Sequence, residues 1–180
     1  MKRLWTILLA LLAFSFVAAG QTRTYGDIEQ KAFVIGLDQY YFGASGSLTF
    51  KISKTVYTAR IDGGKVSLST ANLPESVICE GEGDVIIGIH DFTGDKKPEL
   101  VVACRKDGSM FAEIYQLQDK NTASIGRIGA SGEGITEIRV FRQAITIKNH
   151  KAGAMYTWTW HKKAFDFKAS DGSSDPTPAI

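Results

Sequence analysis

The sequence predicts an all-β protein, an antiparallel meander of about three blade-like units, either propeller-like or a small β-sheet assembly. Three observations predict it. From residue 31 to 168, apolar and β-branched runs alternate with turns rich in Gly, Asp, Asn and Lys. No segment carries a sustained helical period. Groups of strands recur at a spacing of about forty residues, a propeller-like period that an ordinary antiparallel meander also produces.

Taken in order, the chain opens on a leader. Lys2 and Arg3 precede an uncharged apolar run from Leu4 to Val17, followed by the small residues Ala18, Ala19 and Gly20. This is the pattern of a signal peptide over residues 1–20, cleaved to leave Gln21 first, and it predicts export to the periplasm or beyond the cell. "YGDIEQKAFV", residues 25–34, has room for one short helix. "SLTFKIS" alternates with period two, "TVYTARI" follows, and Asp62-Gly63 marks a hairpin before "KVSLST". "DVIIGI" and "ELVVAC" flank the acidic stretch "HDFTGDKKPEL". "GSMFAEIYQL" leads into the polar turn "QDKN". "EIRVF", "AITIKN" and "AMYTWTW" then precede a Lys-Lys turn and "AFDFK". The division is one all-β domain over residues 21–168 and a polar tail, 169–180, expected to be disordered. Residues 48–69 and 145–167 are weakly alike: each has an alternating strand, a Tyr-Thr strand, a short turn and a final strand.

Charge narrows the partners. Two of the 21 basic residues lie in the leader, so the rest balance the 19 acidic ones. That argues against nucleic acid, which needs a basic patch, and against polybasic attachment to a membrane. No segment after the leader is long and apolar enough to span a bilayer. The two cysteines, Cys79 and Cys104, are expected to pair as a disulfide in an exported chain. Closing that loop would stabilise the fold by roughly 3.5 kcal/mol. They lie too far apart, with no neighbouring histidine, to suggest a metal site.

The acidic stretch carries the most chemistry. Asp91, Asp95 and Glu99 fall four residues apart. Counting alternate positions from Asp91 gives Asp91, Thr93, Asp95, the Lys97 carbonyl and Glu99, a set of oxygen donors suited to Ca²⁺. Gly94 permits the reversal. In the alternative, Lys96 and Lys97 neutralise the carboxylates in a metal-free turn. "GIHDFTGDKKPELVVA", residues 88–103, resembles the FG-GAP or VCBS repeat of integrin-type propellers. That repeat runs apolar strand, Asp-x-Asn/Asp-x-Asp-Gly-x-x-Asp, Leu, second apolar strand. The resemblance implies a calcium loop joining the first two strands of a blade, within a unit at residues 84–125. Thr93, Lys96 and Glu99 depart from the repeat, which implies weak affinity, in the range of about 10⁻⁴ to 10⁻³ M.

Tyr156, Trp158 and Trp160 are spaced by two and share one face of a strand. They form either a platform for a glycan or protein, or the buried inner face of a sheet. With Thr157, Thr159 and His161 opposite, the inner face is the natural reading. Tyr40, Tyr41 and Phe42 form a second aromatic cluster. His90 adjoins Asp91, but neighbours on a strand face opposite sides. The chain has no Gly-x-Ser-x-Gly, His-Glu-x-x-His or phosphate-loop motif. The expectation is an exported, non-catalytic β module, its acidic turn held either by calcium or by Lys96 and Lys97, that binds or scaffolds an unknown protein or glycan. The alternative is a small exported enzyme or enzyme inhibitor on the same fold.

Overall fold

Hairpin chemistry sets the architecture. The computed structural model describes residues 21–28, 39–118 and 121–177, so the leader lies outside it. Three two-residue loops have both central residues at positive φ, the geometry whose twist matches that of paired strands. They are Gly63-Gly64 (φ 59 and 83), Asp107-Gly108 (50 and 72) and Lys162-Lys163 (49 and 71). The first hairpin closes one residue later than Asp62-Gly63 suggests, because Asp62 pairs with Lys65 and the two glycines take the left-handed positions.

Each unit is a four-stranded antiparallel meander. The first contains β3 (Ser45–Ile52), β4 (Thr55–Asp62), β5 (Lys65–Thr70) and β6 (Ser76–Glu80). The second contains β7 (Glu82–His90), β8 (Glu99–Lys106), β9 (Ser109–Gln118) and β10 (Asn121–Ala130). The third contains β11 (Ile135–Val140), β12 (Ala144–Asn149), β13 (Ala154–His161) and β14 (Ala164–Ala169). Two more strands extend the first two sheets. β1 (Gln21–Ile28) runs parallel to β3, and β2 (Gln39–Phe42) runs antiparallel to β7. Residues 25–28, where a short helix had room, are therefore strand; residues 29–34 lie outside the described chain.

Burial explains the hydrophobic pattern. The middle sheet is covered on both faces, so β8 buries every residue from Glu99 to Cys104. One face, with Ile87, Ile89, Leu100, Val102 and Phe111, packs on Leu48, Phe50, Tyr57 and Ile61 of the first sheet. The other, with Val101, Ala112, Ile114 and Ile128, packs on Ile145, Ile147, Tyr156 and Trp158 of the third. Strands covered on both faces become continuous apolar runs, whereas strands covered on one face alternate. The outer sheets alternate: Thr58 and Arg60 in β4, and Thr157 and Thr159 in β13, occupy positions between the buried ones. Among the described residues, the fold is thus an open stack of three sheets whose outer faces are mostly polar, with Val56 and Met155 exposed among them.

The stretch from residue 170 to 177, expected to be disordered, follows a described path along the third sheet. Ser170 Oγ accepts a hydrogen bond from the Met155 amide at 2.8 Å, and Asp175 Oδ1 accepts one from the Trp158 indole at 3.0 Å. Its polar composition cannot build a core, but it supplies acceptors to a sheet that has donors to satisfy.

Candidate functional site

The acidic turn leaves β7 after His90 and enters β8 at Glu99. Its carboxylates are met by backbone amides. Asp91 Oδ1 accepts from the Gly94 N–H at 2.7 Å and Oδ2 from the Lys96 N–H at 3.1 Å. Glu99 Oε2 accepts from the Phe92 and Thr93 amides at 2.9 and 3.0 Å, and the Thr93 hydroxyl donates to Oε1 at 3.3 Å. Asp95 Oδ1 accepts from the Lys97 N–H at 2.9 Å. Gly94 and Lys96 both sit at positive φ, 79 and 70, in the left-handed region that glycine enters freely and lysine does not. The two lysines thus contribute their backbone amides, an answer that neither sequence reading contained.

Burial divides the carboxylates. Glu99 is fully buried and Asp91 is 8 % exposed, whereas Asp95 lies on the surface. Burial pushes the Glu99 carboxyl up to about 7; the charges of Asp95 and Asp91 act the same way, while the Thr93 and Phe92 amides oppose them. Calcium requires its oxygen donors to converge on one centre. Among the described residues, no group of three or more acidic, His or Cys side chains is arranged to hold a metal. Asp91, Asp95 and Glu99 each turn oxygens to backbone amides of the turn instead.

The turn is also a joint between units. Phe92 is fully buried against Phe165 of β14, with ring centroids 6.1 Å apart. His90, also buried, donates from Nε2 to the Phe141 carbonyl at 3.2 Å. Gln143, in the turn between β11 and β12, lies so close over Gly94 that a Cβ there would collide with its amide. The tip of the third sheet therefore closes on the acidic turn of the second.

Cys79 on β6 and Cys104 on β8 face one another between the first and second sheets. Their sulfurs are 2.9 Å apart, and each residue is 3 % exposed. The neighbouring Cys104 thiol and burial both push the Cys79 thiol up. Gly81 is pressed against this pair: a Cβ there would lie 2.8 Å from the Cys104 sulfur. Close by, the Tyr115 hydroxyl of β9 donates to the Ile78 carbonyl of β6.

The aromatic row lies on the inner face of the third sheet. Trp158 is fully buried and stacks obliquely on Phe167 at 5.2 Å; Tyr156 is 9 % exposed. Trp160 is half-buried and meets Phe165 edge-on at 5.0 Å.

A surface groove of about 860 Å³ opens where parts of all three sheets meet. Phe42 ends β2 there, Ser45 begins β3, Glu82 and Asp84 begin β7, and Arg105 lies near the end of β8. Thr136, Glu137 and Ile138 of β11, an edge strand of its sheet, form another wall. Its charged lining is Glu82, Asp84 and Glu137 against Arg105; Glu137 is paired with Arg139, so Glu82 and Asp84 carry the acidic excess. Of the residues that line it, sequence reasoning singled out Phe42, in its aromatic cluster, and Cys104, as a disulfide partner. The others come from several strands and share no motif.

Comparison with protein-family models, curated proteins and solved structures found no match to this chain.

Proposed function

We propose that the chain is an exported, non-catalytic β module that binds an extended segment of a partner protein in the groove between its three sheets. The groove carries this reading. Its volume lies within the range of binding clefts, and its lining mixes apolar side chains with a few polar groups. The edge of β11 suits an extended peptide, because a sheet edge adds a strand through main-chain hydrogen bonds. The carboxylates favour a partner with basic side chains. Buried, Trp158 has no open ring face for a sugar, so a peptide is the better fit than a glycan. The acidic turn supports a module of FG-GAP type in one respect: it joins the first two strands of its unit. The leader supports export.

Titration of isotope-labelled protein with a soluble alternating Val-Lys peptide tests the groove. Amide shifts should concentrate at residues 82–86 and 135–140. Shifts confined to the outer sheet faces, or none at millimolar peptide, would reject it. Intact mass of the protein from its native host tests export separately: the mature chain should begin at Gln21, and a retained Met1 in a cytoplasmic fraction would contradict it.

A further inference from the structure

We infer that Cys79 and Cys104 form a disulfide that staples the first sheet to the second, and that it forms during folding, before the two sheets close. The inference rests on the reading of export, since an oxidising compartment supplies the oxidant. Three observations carry it. The two side chains come from different sheets and meet sulfur to sulfur. Gly81 leaves room for Cys104 where any other side chain would press on it. Both residues belong to the first apolar core and are only 3 % exposed, although Cys104 borders the groove and Cys79 a neighbouring surface hollow.

The chemistry is thiol–disulfide exchange with a small or protein disulfide, R–S–S–R. One cysteine thiolate attacks that bond, forming a mixed disulfide and releasing one thiol. The other cysteine thiolate displaces the second thiol. Two cysteine thiols lose two protons and two electrons, and one R–S–S–R becomes two R–SH. The reactive form is the thiolate, and the Cys104 thiol and the burial that together raise the Cys79 thiol in the folded protein suppress it. The pair is therefore a structural link, slow to react once packed, rather than a redox-active centre.

Oxidative refolding tests this wherever the protein resides in the cell, so its result is independent of the export reading. Denatured, reduced protein refolded in a glutathione redox buffer should lose two hydrogens in mass and yield one linked Cys79–Cys104 peptide. Neither cysteine should then alkylate in denaturant until reductant is added. Protein folded in the reduced state should oxidise at least tenfold more slowly, as an order of magnitude, than the same protein in urea. The linked wild type should melt about 10 °C above its reduced form, and Cys79→Ala or Cys104→Ala should abolish that difference. If the alanine variants fail to fold, the wild-type mass and oxidation rates still decide. Two alkylatable thiols after oxidative refolding would overturn the staple, and equal oxidation rates in folded and unfolded protein would overturn its timing.

Discussion

Glu99 shows how a charged residue becomes part of a core. It lies opposite His90 in the β7–β8 ladder, on the face turned toward the third sheet, with its carboxylate on two amides and a hydroxyl. Its folded value of about 7 lies above the ordinary glutamate value of about 4.3. Below about pH 4.3 both folded and unfolded chains hold the proton, and Glu99 costs nothing. Between there and pH 7 the unfolded chain ionises first, so stability falls as pH rises; above pH 7 the cost is constant, at roughly 4 kcal/mol. Glu99→Gln should remove this slope, so that its stability relative to wild type rises between pH 4 and 8 in urea titrations. A difference that is flat with pH would refute the assignment. Asp91 acts through the two amides it accepts from, and Asp91→Ala should cost about 2 kcal/mol with EGTA present. A residue needed only as a calcium ligand would cost nothing under that condition. Calorimetric scans with EGTA and with calcium at matched ionic strength complete the test. Coincident wild-type curves are expected; a calcium-dependent rise that Asp91→Ala abolishes would place the ion in the turn.

At the scale of elements, the hairpins differ in how well their residues suit their geometry. Gly63-Gly64 adopts positive φ without strain, whereas Lys162-Lys163 forces two side-chain-bearing residues into the left-handed region. Replacing Lys162 with Asn and Lys163 with Gly should stabilise the protein by about 1 kcal/mol, seen as a rise of a few degrees in melting temperature. A fall would show that the lysine side chains contribute more than the backbone strain costs. Most strands were legible because burial dictates pattern. "ELVVAC" is an unbroken apolar run since β8 is covered on both faces, and "SLTFKIS" alternates since β3 is covered on one. The partners of the acidic turn were not legible. The positive φ at Lys96 and the reach of Gln143 from another sheet depend on chain closure, which residue spacing does not encode.

At the scale of the whole molecule, the cysteines were legible as a pair but not as a link between units, because only the stacking of sheets brings β6 to β8. The groove was least legible. Phe42, Asp84 and Thr136 belong to three strands whose meeting depends on how the sheets pack, and periodicity within a strand carries no record of that. Selection of a displayed random-peptide library on the folded, oxidised protein tests the central claim most directly. Counter-selection uses the double variant Glu82→Lys, Asp84→Lys, whose substituted positions are exposed. The account predicts enriched peptides that alternate apolar and basic residues, bind the wild type, and lose at least about tenfold in affinity on the variant. Peptides that bind both proteins equally, or no enrichment over an unrelated β protein, would contradict it.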